Sequence, residues 1–143
     1  KHGPARVVRA EVTEAPISVT ELADAVHDAA AGAVVTFEGV VRNHDADRGV
    51  SGIGYSCHPT AGQIVKEIAR DVAERRRVRA LGVVHRVGDL AVGEAALAVA
   101  VSSDHRAEAF ATCGEIVEEV KKRLPVWKRQ TFSDGTSQWS NLA

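Results

Sequence analysis

The 143-residue sequence predicts an α+β domain built on a mainly antiparallel sheet with helices flanking it. Three observations lead there. Stretches in which every second residue is apolar are interleaved with stretches of helical spacing, and the strand-like stretches are joined by short, turn-rich connections. No Gly-x-Gly-x-x-Gly follows a strand and no P-loop pattern occurs, which removes the nucleotide-binding parallel sheets.

The elements follow in order. Residues 6–14 set Val8, Ala10 and Val12 against Arg9, Glu11 and Thr13, the alternation of a half-buried strand. Ser18 and Glu21 have capping-box spacing, Leu22, Ala25, Val26 and Ala29 continue on one helical face, and Gly32 is expected to close that helix. Residues 33–42 read as an apolar strand entering a charged, mobile loop over 43–49, and 50–57 as the next strand. Over 60–77, Ile64, Ile68 and Val72 recur every four residues, as in a helix laid on a sheet. Its terminal Arg75-Arg76-Arg77 reads as a solvated run favoured by the helix dipole. Strands are expected over 79–87 and 95–102, joined through 88–94. The last long helix, 105–124, buries Ala109, Cys113, Ile116, Val117 and Val120, with Ser103 or Asp104 as its cap. A strand over 126–132 and the turn Ser133-Asp134-Gly135 lead to Trp139.

The length suits one domain over 1–143, with residues 1–5 expected to be flexible and without function. The absence of methionine leads to the expectation that the start has been processed or trimmed. Eighteen Lys and Arg against nineteen Asp and Glu give a net charge of −1, so no global field favours nucleic acid. No apolar run is long enough to cross a bilayer, and a soluble, cytoplasmic protein without membrane contact is expected. Cys57 and Cys113 form no Cys-x-x-Cys and read as core thiols in a reducing compartment.

The richest stretch for chemistry is Lys121-Lys122-Arg123-Leu124-Pro125-Val126-Trp127-Lys128. Pro125 forces the helix to stop near Leu124, which puts Lys121 and Lys128 on different elements. Only a turn in the fold would bring them together. Local sequence favours a solvated, dipole-compensating helix end there; the other reading is a pocket in which neighbouring cations lower a lysine's proton affinity. His105 and Arg106 fall at a helix start, where free N–H groups favour an anion, and the two readings are a phosphate site or a plain pair between Arg106 and Glu108. Arg42 and His44 stand where a strand enters a loop, and His85 and Arg86 face opposite sides of their strand. His44, His58, His85 and His105 have no ligand spacing, so no metal is expected. Ser102-Ser103-Asp104-His105 lacks a nucleophile elbow, which argues against a hydrolase.

Residues 32–43 (GAVVTFEGVVRN), 85–90 (HRVGDL) with Gly93-Glu94, 102–110, 121–128 and Asp134-Gly135, taken in that order, resemble the large, catalytic subunit of molybdopterin synthase. The resemblance implies an α/β-hammerhead-type α+β fold and a homodimer in which each copy binds a small ubiquitin-like sulfur-carrier subunit, giving a heterotetramer. It implies a sulfurtransferase of molybdenum cofactor biosynthesis that needs no cofactor of its own. Two sulfurs pass from the small subunit's C-terminal thiocarboxylate to cyclic pyranopterin monophosphate. By the same resemblance Arg42, His105 and Arg106 hold the phosphorylated pterin, Lys121 assists sulfur transfer beside the incoming glycine tail, and Lys128 binds substrate and stabilises developing negative charge. Residues 56–58 depart from the family pattern, as does the stretch after Trp139, where the family carries a basic residue into a neighbouring subunit and that contribution is expected to be missing. The presence of Arg42, His105, Arg106, Lys121 and Lys128 favours the enzyme, while the altered segment 56–58 favours the alternative of a noncatalytic paralogue that binds a ubiquitin-like partner or a phosphorylated pterin.

Overall fold

A computed structural model describes residues 3–142. Its elements are β1 (Arg6–Thr13), α1 (Val19–Ala25), β2 (Ala33–Val40), β3 (His44–Asp45), β4 (Arg48–Cys57), α2 (Ala61–Arg75), β5 (Ala80–Arg86), β6 (Gly88–Ala91), β7 (Ala95–Ser103), α3 (Arg106–Arg123), β8 (Val126–Phe132) and β9 (Ser137–Asn141).

Two sheets result. The first has the order β1-β5-β7-β2, with β1 parallel to β5 and the other pairs antiparallel. β5 and β7 lie at its centre and are buried along almost their whole length, which their near-continuous apolar runs require. α2 and α3 cover one face through Val65, Ile68, Val72, Ile116 and Val120 against Leu81, Val83, Val99 and Val101. α1 covers the other through Leu22 and Val26 against Ala80, Val84, Ala98 and Ala100. The small residues on that second face let the short helix approach closely. A Cβ on Gly82 would lie 2.6 Å from Leu22 Cδ1.

The second sheet has the order β3-β4-β8-β9, with β6 also paired to β4. Val41, Val50, Ile53, Leu90, Ala96 and Phe132 pack between it and the end of the first sheet. The architecture is the expected α+β arrangement, mainly antiparallel with flanking helices.

Several local expectations are corrected. α1 ends at Ala25, with Val26 as its cap, so Gly32 closes no helix; a Cβ there would meet the Asp104 carbonyl oxygen at 2.9 Å. The charged loop contains β3, folded onto β4 through a turn in which Ala46 takes a positive φ of 54°. β6 and β9 are further strands that alternation does not disclose: β6 is four residues bounded by turns, and β9 is an edge strand whose residues are mostly polar. Neither Ser103 nor Asp104 caps α3. His105 occupies that position, while Asp104 is held by Arg79 at 2.6 and 2.8 Å and the Ser103 hydroxyl donates to the His105 carbonyl. Arg75 and Arg76 are not merely solvated, because both bind Glu115 of α3, at 2.8 and 2.7 Å. Cys57 is exposed at the end of β4, whereas Cys113 is buried and its thiol is pushed up to about 11 by desolvation. Of the end expected to be flexible, Lys1 and His2 lie outside the described residues, and Ala5 is buried with its N–H donating to the Ala73 carbonyl.

Candidate active site

The end of α3 determines the geometry of the site. The helix runs to Arg123, the Leu124 N–H closes its last turn on the Val120 carbonyl at 3.0 Å, and Pro125 ends it. The Pro125 carbonyl accepts from the His58 N–H at 3.0 Å, and β8 then runs antiparallel to β4 with Lys128 opposite Tyr55. This reversal is the turn that spacing alone could not supply. It sets Lys121, from the last turn of α3, and Lys128, from β8, on one cavity of about 230 Å³.

That cavity lies where the two sheets meet. β2 contributes Phe37, β4 Tyr55, β5 His85 and β8 Gln130, with Arg42 and His44 at its loop side. Arg42 is positioned by its neighbour: Val41 is buried, its N–H donates to the Glu94 carbonyl at 3.0 Å, and its carbonyl accepts from Gly93 at 2.8 Å. Gly93 holds a φ of 89°, a conformation that suits glycine in this turn. Glu94 is in turn fixed by the Ala91 N–H at 2.7 Å and by Arg86 at 3.0 Å, and these two hydrogen bonds hold its carboxyl below the usual range. The pair His85-Arg86 therefore divides as alternation requires. Arg86 braces the turn, and His85 faces the cavity.

The charge balance of the cavity is cationic. Among the described residues Arg42, Lys121 and Lys128 line it and no carboxylate does. Arg42 reaches Asp45 only at 4.0 Å with both side chains largely exposed, a contact too weak to neutralise it. Among the described residues no cluster of His, Cys, Asp and Glu could hold a metal ion.

His105 and Arg106 do not line this cavity. β7 explains why. The cavity touches its first residues, Ala96 and Leu97, whereas His105 follows its far end, eight residues beyond Leu97 and so roughly 25 Å away along the strand. Among the described residues Arg106 makes no ion pair, with Glu108 or any other carboxylate. Tyr55 and Gln130 are cavity residues to which the sequence points in no way, whereas of His85 and Arg86 one is expected to be functional and the other structural, and His85 is the one in the cavity. The alternation of β4, β5 and β8 gives their faces, but which face meets a cavity depends on how the sheets pack.

Fold and site together define an α+β protein with a cationic, ligand-sized cavity at the junction of two sheets, suited to a small anionic molecule. The MoaE protein family matches residues 12–123, and the chain belongs to that family. It is 36% identical over 137 residues, 95% of this chain and 69% of the relative, to a molybdopterin synthase catalytic subunit of Aspergillus clavatus. A crystal structure of molybdopterin synthase from Staphylococcus aureus superposes with a TM-score of 0.85 at 28% identity, covering 92% of this chain and 96% of that one. A protein–protein complex of subunits 1 and 2 of molybdopterin-converting factor from Helicobacter pylori shares the fold, with a TM-score of 0.65 at 19% identity over 95% of this chain and 89% of that one.

Proposed function

We propose that this chain is the catalytic subunit of a molybdopterin synthase, acting in the cytoplasm as a sulfurtransferase of molybdenum cofactor biosynthesis. A small ubiquitin-like subunit brings the sulfur as a C-terminal thiocarboxylate, and cyclic pyranopterin monophosphate receives it. Within the family, the observation that carries this reading is the shared cavity of Lys121 and Lys128.

The roles are those the resemblance implies, and the positions of the residues support them. Lys121 is exposed on the last turn of α3, where an extended tail arriving from solvent meets it first; its ammonium favours the thiocarboxylate anion and assists sulfur transfer and breakdown of the thioester formed on the way. Lys128 is half-buried beside Gln130, where its charge binds the pterin and opposes negative charge as it develops. The planar fork of Arg42 suits the phosphate. His105 and Arg106 keep their substrate-binding role through a second copy: a homodimer that sets the start of α3 against the neighbour's cavity adds their charges to it. No step requires a metal or an organic cofactor.

The test is reconstitution. Mixed with thiocarboxylated small subunit and cyclic pyranopterin monophosphate, the chain is expected to yield the dithiolene product. No product under conditions where a related synthase works overturns the reading and favours a binding paralogue.

A further inference from the structure

The cations of the cavity leave one hydrogen-bonding need unmet. Lysine and arginine only donate, so Arg42, Lys121 and Lys128 recognise acceptors, a phosphate above all. His85 supplies the opposite function. It is 2% exposed, opposite Leu97 in the sheet, and it still lines the cavity.

Its tautomer is set by its own strand. Nδ1 lies 2.7 Å from the Arg86 carbonyl oxygen, and because a carbonyl only accepts, Nδ1 carries the hydrogen. In the neutral ring Nε2 then holds a lone pair. Among the described residues Nε2 has no hydrogen-bond partner, and the one unpartnered side-chain polar atom sealed from solvent is Thr112 Oγ1. The Nε2 atom is therefore open to the cavity. Tyr55 fixes the ring edge-on, with centroids 5.2 Å apart at 74°. Desolvation lowers the imidazole to about 4, against the hydrogen bond to Arg86 and with help from the Lys121 charge, so the lone pair persists at neutral pH.

Resting on the function proposed above, we propose that His85 is a specificity-determining residue whose Nε2 accepts a hydrogen bond from a ring N–H of the pterin. The substrate has two chemically distinct ends, a phosphate that needs donors and a heterocycle whose N–H groups need acceptors. The cavity answers the first with cations and the second with His85, whose Nε2 can only accept in the neutral ring, whereas the Gln130 amide and the Tyr55 hydroxyl can each donate or accept. A phosphate without the heterocycle leaves Nε2 unused.

The two obvious variants separate the ring nitrogens. Asparagine in His85→Asn keeps a donor near the Nδ1 position and loses the acceptor at Nε2, while glutamine in His85→Gln extends its amide oxygen toward the Nε2 position. Calorimetric titration with cyclic pyranopterin monophosphate is expected to show affinity about 10- to 100-fold weaker in His85→Asn, with most of the loss recovered in His85→Gln. Titration with inorganic phosphate is expected to be the same in all three proteins. An unchanged affinity in His85→Asn, an equal loss in both variants, or a parallel loss for phosphate overturns the proposal.

Should His85→Asn fail to fold, the wild-type chain with ¹⁵N-labelled histidine decides. Nε2 of His85 is expected to be unprotonated in the free protein and to shift upfield when the pterin is added. A protonated Nε2, or pterin binding with no shift, overturns the role of His85 and leaves the function standing. Wild-type protein that binds phosphate but not the pterin overturns the proposed function, and this proposal with it.

Discussion

Lys121 sits at a helix end where its side chain is exposed, so its removal should affect chemistry and not folding. Lys121→Ala is expected to lower dithiolene formation by about 10²- to 10⁴-fold, with circular dichroism and the unfolding midpoint unchanged. Near-normal turnover would take Lys121 out of the mechanism. His85 is the contrasting case, a side chain that packing encloses and that nonetheless lines the cavity. In the sequence the two were unequal: Lys121 stood in a cluster of cations, while His85 was one of six scattered histidines. A solvated charge run and a pocket rim look alike at this level, because burial is not written in local sequence.

At the scale of elements, the end of α2 is clamped to the middle of α3 by the hydrogen bonds from Arg75 and Arg76 to Glu115. Burial raises the Glu115 carboxyl, but the bonds from Arg76 and Arg75 outweigh it and hold the group below the usual range. A depressed carboxylate stabilises the fold above its unfolded value, and that contribution disappears as pH falls through the folded one. Glu115→Gln is therefore expected to destabilise by about 1 kcal/mol at pH 7, discounted for the partial exposure of both arginines, with the difference shrinking as pH falls below about 4.3 and lost once pH passes below the folded value. Urea denaturation of the two proteins at several pH values measures it, and a difference that persists in acid would refute the assignment. The helices themselves were legible from periodicity to within a few residues, save the shorter α1. The clamp was not, since it joins residues about 40 positions apart.

On the scale of the whole molecule, the enclosed His85 ties stability to acid. Its folded value of about 4 lies below its unfolded one, so the unfolded chain takes up the proton first and stability falls as pH drops below about 6.5. Wild type is expected to be about 2 kcal/mol less stable at pH 5 than at pH 7 on this account, and His85→Gln to lose most of that slope. Equal slopes in the two proteins would contradict a neutral, enclosed ring. The separation of His105 and Arg106 from the cavity makes a second expectation, that the site is completed across two copies. Lys121→Ala and His105→Ala chains, each weak alone, should regain activity when unfolded and refolded together, because a mixed dimer carries one intact site. An inactive mixture would assign His105 a role outside the cavity.

The alternation of β1, the apolar runs of β5 and β7, the spacing of α2 and α3 and the break at Pro125 follow from local rules of backbone geometry and apolar period, and the sequence by itself determined them along with the α+β class. The ordered blocks from residue 32 to residue 135 carried the family. Tertiary structure alone decided that Lys121 and Lys128 share one cavity, that His85 opens into it, and that His105 and Arg106 stand at the other end of β7. Each is a distance between residues far apart in the chain or on different elements. Such distances are fixed by how the two sheets pack on one another, through many weak contacts that no single stretch of sequence contains.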